Sequence, residues 1–297
     1  MSHSTRSWAP NTTRNHKILP WLTGAAALGL AAYACFYERH HVEVTHRSIV
    51  LRRLPRALDR LRLVHISDFH FGHYAEAYYL REVVAAVNHL QPDLVALTGD
   101  YVSDLVLGSS TRSARLSKPC AAILSRIACR NRWAVLGNHD QLVGPEIVTR
   151  ALEAQGFPVL ENRCTEFVRN GARLWIAGVK SSSEGEPNLG AAIPDAVKSS
   201  GDPVLLLAHE PDFADAVAEF GGVDLMLSGH THGGQVCLPL IGAPTLPRGG
   251  RKYIEGLFEI NRGLQLFVTR GIGAMKLPIR FRCRPEISVL TLRSGVD

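Results

Sequence analysis

Five short apolar runs in this sequence end in residues of the kind that bind metal ions, and this repeated pairing constrains the fold strongly. In chain order the endings are Ser67-Asp68-Phe69-His70, Thr98-Gly99-Asp100, Gly137-Asn138-His139-Asp140, Ala208-His209-Glu210 and Ser228-Gly229-His230-Thr231-His232-Gly233-Gly234. Open α/β sheets bind their ligands at the carboxyl ends of strands. The pattern therefore predicts an α/β domain whose strand ends converge on one crevice.

The apolar runs alternate with stretches of helical periodicity, which is typical of an α/β domain. Between the first two runs, apolar residues recur at helical spacing from Leu80 to Leu90, and Pro92 ends that predicted helix. Residues 42–51 show short-period alternation, which predicts a first pair of strands. The predicted strands that follow are 61–66, 94–97, 133–136, 174–177, 204–207 and 225–227. We interpret residues 38–297 as one domain.

The composition fits a folded protein with an anionic partner. Hydrophobic residues make up 46% of the 297 residues and charged residues 20%, which argues against extended disorder. The net charge of +6 suits a phosphate, an acidic head group or nucleic acid, although a solvated basic surface explains it equally well. The six cysteines form no C-x-x-C pair, so we interpret them as free thiols.

The N-terminus carries a predicted membrane anchor. A basic tail, residues 1–17, precedes an uncharged stretch of twenty residues, 18–37, which is about the length needed to cross a bilayer. A cleaved signal segment is the alternative, because Ala32-Tyr33-Ala34 resembles a cleavage site. A retained anchor predicts a single-pass protein of a bacterial inner membrane. Arginines on both sides of the span leave the side of the catalytic domain open.

Each ligand-bearing ending alone is common in ordinary turns, but the complete set is specific. The order D-x-H, G-D, G-N-H-D, H, G-H-x-H resembles the calcineurin-like metallophosphoesterases over roughly residues 61–292. The sequence also resembles the membrane-attached YaeI/YkuE-type branch of that family, in residues 209–212, 229–235, 270–273 and 285–286. The resemblance implies a sandwich of two mixed β-sheets flanked by helices, preceded by an N-terminal membrane-spanning helix.

The resemblance also implies a centre of two divalent metal ions. Asp68, His70 and His232 would bind one ion, Asn138, His209 and His230 would bind the other, and Asp100 would bridge both. A shared carboxylate both spaces two cations and offsets their charge. The two histidines of the G-H-x-H ending would thus serve different ions. The mixed oxygen and imidazole ligands suit Mn²⁺, Fe²⁺ or Zn²⁺.

Such a centre predicts a metal-dependent hydrolase. Water held between the two ions becomes hydroxide near neutral pH and attacks phosphorus in line. His139 is the predicted general acid that protonates the leaving oxygen. Many relatives place an acidic residue three positions after the bridging aspartate, where this chain has Ser103 followed by Asp104. Orientation of His139 would therefore come from Asp104, from Asp140 or from the backbone.

The C-terminal third adds basic residues interleaved with apolar ones, which suits an amphipathic anion or simply a solvated surface. They are Arg248, Arg251, Lys252, Arg270, Lys276, Arg280, Arg282 and Arg284. Together with the anchor, they predict a lipid-linked phosphate as substrate. In the resembled branch, one substrate class is the pyrophosphate of UDP-2,3-diacylglucosamine, a lipid A precursor.

Two other functions remain open at this stage. One is a broad-specificity phosphodiesterase or phosphatase that acts on nucleotides or envelope phosphates. The other is a non-catalytic metal-binding membrane protein, against which the intact ligand set argues. A nucleic-acid partner is not expected, because the sequence has no evident platform of alternating aromatic and basic residues.

Overall fold

The strands form two mixed β-sheets in this computed structural model, which describes residues 18–104, 110–260 and 263–295. The strands are β1 (Glu43–Leu51), β2 (Leu61–Ile66), β3 (Leu94–Leu97), β4 (Arg132–Ala134), β5 (Arg163–Arg169), β6 (Ala172–Gly178), β7 (Val204–Leu207), β8 (Leu225–Ser228), β9 (Gly256–Glu259), β10 (Gln265–Val268) and β11 (Glu286–Ser294). The α-helices are α1 (Ile18–Ala32), α2 (Ala77–His89), α3 (Ser110–Leu124), α4 (Asn138–Val143), α5 (Pro145–Glu153), α6 (Leu189–Ala192), α7 (Asp195–Lys198) and α8 (Ala214–Phe220).

The first sheet has the strand order β1-β11-β2-β3-β4, and the second has the order β5-β6-β7-β8-β10-β9. In the first sheet only the β11–β2 pair is antiparallel. In the second sheet the two edge strands, β5 and β9, are antiparallel to their neighbours. The strands β2, β3 and β4 run parallel in the first sheet, and β6, β7, β8 and β10 run parallel in the second, so the carboxyl ends of these strands lie at one edge of each sheet.

Successive side chains of a strand point to opposite faces, so each sheet packs against a hydrophobic core on both of its faces. Leu61 and Leu63 of β2 pack between the sheets with Leu205 and Leu207 of β7. Val64, also in β2, faces the opposite side and joins the core under α2, α3 and α5. The outer face of the second sheet packs in the same way against α6, α7 and α8. The result is a sandwich of two mixed sheets flanked by helices, and the predicted α/β fold class is confirmed.

The strands predicted at 61–66, 94–97 and 204–207 have the bounds found for β2, β3 and β7. The prediction of two strands within residues 42–51 was wrong, because β1 is a single strand that pairs in parallel with β11 from the C-terminal end of the chain. Local alternation cannot reveal a partner so distant in sequence. The strands β5, β9, β10 and β11 were not predicted.

The N-terminal segment differs from the predicted single helix. The α-helix α1 is 15 residues long, and a π-helix (Tyr33–Tyr37) and a short 3₁₀ helix (Glu38–His40) follow it. Within the described ranges, no helix has both the length and the hydropathy needed to cross a membrane. The membrane-spanning helix predicted over residues 18–37 is therefore not found, because the winding changes after Ala32. The predicted basic tail, 1–17, lies outside the described residues.

The end of this N-terminal segment is fixed to the domain by specific hydrogen bonds. The backbone N–H of Arg280 donates to the carbonyl of Ala34 at 3.1 Å. The carboxylate of Glu38, which is buried, accepts from the backbone N–H of Cys283 at 2.7 Å. Arg39 donates to the carbonyl of Tyr74 at 2.7 Å. The segment therefore ends against residues 280–283, which precede β11.

We predict that Leu205→Ala lowers the free energy of unfolding by about 3 kcal/mol, because it removes a side chain that is fully buried between the two sheets. Urea unfolding followed by circular dichroism measures the change. The matched control is Val168→Ala, an exposed position on the edge strand β5, where we expect a change within about 0.5 kcal/mol. An equal loss in both variants would contradict the assignment of the core.

Candidate metal centre

The predicted ligands lie where strands of the two sheets end. Asp68 and His70 follow β2, Asp100 follows β3, and Asn138 follows β4 at the start of α4. In the second sheet, His209 follows β7, and the pair His230 and His232 follows β8. Every predicted carboxylate and histidine ligand belongs to one of two compact buried donor groups, and a third, partly buried group joins His70 and Asp100 to His139. The crevice predicted at the strand ends is therefore present.

Most of these ligand residues have an unusual backbone conformation. Five of the seven predicted ligands have positive φ, namely Asp68 (56°), His70 (45°), Asp100 (56°), His230 (70°) and His232 (52°). This left-handed conformation costs about 1–2 kcal/mol for a residue with a side chain. Such residues persist only where the surrounding structure holds them, and they cluster at functional sites. The segment 230–232 is therefore not extended, and its two histidines belong to different donor groups.

Glycines let the ligand loops approach the carboxylates closely. A Cβ atom added at Gly137 would lie 2.1 Å from Oδ1 of Asp100. A Cβ atom at Gly229 would lie 2.2 Å from Oδ2 of Asp68. Both distances are far below van der Waals contact, so any larger residue at either position displaces a carboxylate.

The first donor group consists of Asp68, His70 and His232, with all donor atoms within 4.8 Å of one another. The Nε2 atoms of the two histidines are 3.0 Å apart, and Nε2 of His232 is 3.5 Å from Oδ1 of Asp68. Burial is the largest cause that holds the pKa of both histidines well below the ordinary range. Two neutral ring nitrogens at this distance suit a shared cation.

The second donor group consists of Asp100, His209 and His230. His209 donates from Nδ1 to the carbonyl of Thr98 at 2.6 Å, which leaves Nε2 buried without a hydrogen-bond partner, 3.3 Å from Oδ2 of Asp100. His230 donates from Nε2 to the carbonyl of Arg248 at 2.8 Å, which leaves Nδ1 as its ligand atom. Histidines that bind metal ions commonly donate their other ring N–H to a carbonyl in this way.

Asp100 connects the two groups. Its Oδ2 atom lies 3.3 Å from Nε2 of His209 and 3.6 Å from Nε2 of His70, which belongs to the first group. Although burial opposes a proton on His209, Asp100 and then Asp68 raise its pKa well above the ordinary value. The two carboxylates therefore favour a cationic partner beside His209. Asn138 adds a buried Oδ1 atom without a partner.

These residues fit divalent cations, because buried oxygen and imidazole donors converge while several of them lack protein partners. The seven predicted ligands are all at this centre, and the binding of each to a particular ion stays a prediction.

His139, the predicted general acid, lies beside the centre. Its Nδ1–H donates to Oδ1 of Asp104 in a short hydrogen bond, and its backbone N–H donates to Oδ1 of Asp100 at 3.0 Å. Burial opposes protonation, but Asp100 and then Asp104 overcome it and raise the pKa of His139. Of the three candidates for orienting His139, the structure therefore selects Asp104.

Asp140 has a different role from the one considered in the sequence. Its buried carboxylate accepts hydrogen bonds from the backbone N–H groups of Asp100 at 2.7 Å, of Gly137 at 3.0 Å and of Tyr101 at 3.0 Å. The loops after β3 and β4 are therefore held together by one side chain.

Arg280, one of the eight basic residues singled out in the C-terminal third, does not lie on the surface. Its side chain is fully buried, and it donates to the carbonyls of Arg270, Gly273 and Cys283 at 2.6–3.1 Å. It also lies 3.4 Å from the carbonyl of His232. Arg280 therefore supports the ligand loops from behind, a role that its setting among other arginines in the sequence concealed.

Glu210 is a second residue whose role the sequence did not specify. It directly follows His209, is buried, and accepts a short hydrogen bond from the hydroxyl of Ser181 and one from the backbone N–H of Ser182 at 2.8 Å. It fixes the loop after β6 against the centre. In the sequence, this role was indicated by the position of Glu210 directly after the predicted ligand His209.

A cavity of about 380 Å³ opens from the centre. Asp100, Asn138, His139, His230 and His232 line its polar floor. Its walls are largely apolar and include Val236, Pro244, Pro247, Met275, Leu277 and Ile279. The cavity therefore combines a site for a charged group with space for an apolar one.

The comparisons with known proteins agree with this geometry. The family described as "Calcineurin-like phosphoesterase" matches residues 61–234. The uncharacterized metallophosphoesterase YkuE of Bacillus subtilis is 31% identical, over 94% of this chain and 97% of its own length. The phosphodiesterase YaeI of Escherichia coli is 30% identical, over 90% of this chain and 96% of its own. A zebrafish "Transmembrane protein with metallophosphoesterase domain" is also 30% identical, over 90% of this chain and 61% of its own.

We predict that Gly137→Ala weakens metal binding by about 10–100-fold, because the added methyl group displaces Asp100. Isothermal titration with Mn²⁺ measures the affinity, and circular dichroism checks that the variant is folded. The control is Gly190→Ala in α6, where the new Cβ would meet its nearest neighbour at an ordinary 3.5 Å. Unchanged Mn²⁺ affinity in a folded Gly137→Ala variant would contradict the placement of Asp100.

Proposed function

Because this chain belongs to the calcineurin-like phosphoesterase family and is a metal-dependent hydrolase, we propose that it cleaves a phosphodiester or pyrophosphate at a two-metal centre. The observation that carries the proposal is the meeting of two buried donor groups at one carboxylate, Asp100. The name of the relative YaeI, a phosphodiesterase, supports the choice of bond.

The protein residues would divide the work as follows. Asp68, His70 and His232 would hold one ion, Asn138, His209 and His230 would hold the other, and Asp100 would serve both. When bound, the two ions lower the pKa of water and neutralise charge on the phosphoryl oxygens. The cavity floor thereby binds the phosphate group, and the apolar walls bind the rest of the substrate.

His139 supplies the proton that the leaving oxygen requires. Because Asp104 accepts from Nδ1–H, the other ring nitrogen, Nε2, is the one available to a substrate in the cavity that His139 lines. The neighbouring carboxylates favour the protonated ring, which is the form that a general acid needs. Asp104 is therefore a positioning residue in this mechanism.

The substrate we propose is a lipid-linked phosphate at a bacterial inner membrane, such as the pyrophosphate of UDP-2,3-diacylglucosamine. Apolar cavity walls support it, because they suit the apolar part of such a molecule. Exposed apolar side chains along the N-terminal segment, among them Trp21 and Leu28, support attachment to lipid. The zebrafish relative is named a transmembrane protein, which agrees with that attachment.

The decisive experiment assays the full-length chain in detergent with Mn²⁺, on bis-p-nitrophenyl phosphate and on a UDP-diacylglucosamine analogue. Hydrolysis of the analogue with release of UMP supports the complete proposal. Hydrolysis of the aryl diester alone supports a phosphodiesterase with another substrate. No hydrolysis of either compound, with metal bound, would leave the non-catalytic alternative.

We predict that His139→Ala keeps the bound metal but lowers turnover by about 10²–10⁴ on a substrate with a poor leaving group. The loss should be smaller on an aryl phosphodiester, whose leaving group hardly needs a proton. Metal content and steady-state kinetics measure the two effects, with His89→Ala, exposed at the end of α2, as the control. Loss of metal in His139→Ala would show that His139 is a ligand instead.

We predict that Asp104→Asn moves the alkaline limb of the pH–rate profile to lower pH. The acid form of His139 is lost as pH rises through its pKa, and removing the Asp104 carboxylate lowers that pKa. Profiles of kcat/KM on an alkyl phosphodiester measure the shift, with Asp195→Asn, at an exposed site in α7, as the control. A shift toward higher pH would exclude His139 as the acid.

A further inference from the structure

We propose that an apolar lip beside the cavity contacts the lipid bilayer, so that the active site opens against the head groups. The apolar lip consists of residues 238–241, with the sequence Leu-Pro-Leu-Ile, and of Leu277. The inference rests on the membrane attachment proposed above and adds the surface by which the catalytic domain would meet the lipid.

The first observation is the exposure of large apolar side chains. Leu240 is 108% exposed, Ile241 is 71% exposed and Leu277 is 57% exposed. A tight turn projects residues 238–241, because the N–H of Leu238 donates to the carbonyl of Gly242 at 2.8 Å and the N–H of Gly242 donates back at 2.9 Å. Scattered exposed apolar residues are ordinary, but a projecting group of them marks an interaction surface.

The second observation is the position of the lip around the cavity. Val236 and Pro244, which flank residues 238–241 in sequence, both line the cavity, and Leu277 lines it from the loop before β11. Gln235 ties the two loops together, because its side chain donates to the carbonyl of Met275 at 2.8 Å and accepts from the N–H of Met275 at 2.6 Å. A surface that covers the lip therefore also faces the cavity mouth.

The third observation connects the lip to the N-terminal segment. The N–H of Cys237, at the base of the lip, donates to the carbonyl of Phe281 at 2.9 Å. The neighbouring Arg280 donates from its backbone N–H to Ala34, at the end of the apolar segment. Exposed Trp21 and Phe36 belong to that segment. Two exposed apolar surfaces are therefore joined through residues 280–281.

Charge identifies the occupant as lipid. The sequence has no acidic residue from 235 to 254 or from 271 to 285. Exposed Arg248, Lys276 and Arg282 flank the lip within these stretches. Apolar side chains surrounded by cations suit the boundary between acyl chains and anionic head groups. The bilayer is therefore the partner we propose, and a protein partner is an outcome of the test.

The test uses tryptophan as a depth reporter in the full-length protein. The chain has four tryptophans, and in a Trp8→Phe/Trp21→Phe background the partly buried Trp133 and Trp175 remain as the reference signal, to which Leu240→Trp adds a reporter in the lip. Val168→Trp, on the exposed edge strand β5, is the matched control. Each protein is mixed with vesicles of phosphatidylcholine and phosphatidylglycerol, with or without bromine on the acyl chains. Bromine quenches only tryptophans that enter the lipid, and the native Trp21 reports the N-terminal segment in a Trp8→Phe chain.

We expect the emission of Trp at position 240 to shift to the blue and to be quenched, while that of Trp at position 168 stays unchanged. Quenching of native Trp21 without quenching at position 240 would overturn the inference and would leave the lip to a protein partner. Equal quenching at positions 240 and 168 would show general adsorption and would also overturn it.

The same variants are assayed on soluble bis-p-nitrophenyl phosphate with Mn²⁺, without vesicles. Since Leu240 does not line the cavity, we expect the activity of the unaltered chain. Quenching at position 240 by a chain that hydrolyses nothing would therefore count against the proposed function and not against the lip. Hydrolysis without quenching would count against the lip alone.

Discussion

Two carboxylates buried where the sheets meet, Asp68 and Asp100, impose the main physical constraint on this structure. An isolated buried charge is very costly unless it is paired and hydrogen-bonded. Asp68 accepts from the backbone N–H of His230 at 3.0 Å, and Asp100 accepts from that of His139 at 3.0 Å. These bonds offset part of the cost, and the surrounding imidazoles offer the donors that hold cations. A bound cation would offset the rest of this cost.

This constraint explains why the loops at the centre break ordinary backbone rules. Residues that carry metal-binding side chains adopt positive φ directly after their strands, so that each side chain turns back over the sheet end. Gly137 and Gly229 leave no room for a side chain between the loops and the carboxylates. Asp140 then holds two of these loops through their N–H groups, which limits their freedom. The strained backbone at the ligands is thus tolerated because the surrounding loops and Asp140 hold it in one conformation.

The centre could be predicted from sequence because its ligands follow apolar strands, and strand ends in parallel sheets converge. Long-range partners could not be predicted in the same way. The strand β1 pairs with β11 from the opposite end of the chain, and the local spacing of apolar residues does not indicate so distant a partner. Arg280 was misplaced for a related reason: in sequence it stands among surface arginines, whereas backbone carbonyls from separate loops surround it in the fold. The role of Asp104 depended on a turn whose length the sequence alone left open.

Arg280 also shows how the N-terminal segment and the metal centre are linked. Its guanidinium binds the carbonyls of Arg270 and Gly273, which flank Gly271, and a Cβ atom at Gly271 would lie 2.6 Å from Cβ of Asp68. Its backbone N–H meanwhile binds Ala34 at the end of the apolar segment. Because one buried residue contacts both parts, tilting the segment against the domain would disturb packing next to a ligand. The position of the centre relative to the segment is therefore set by core packing.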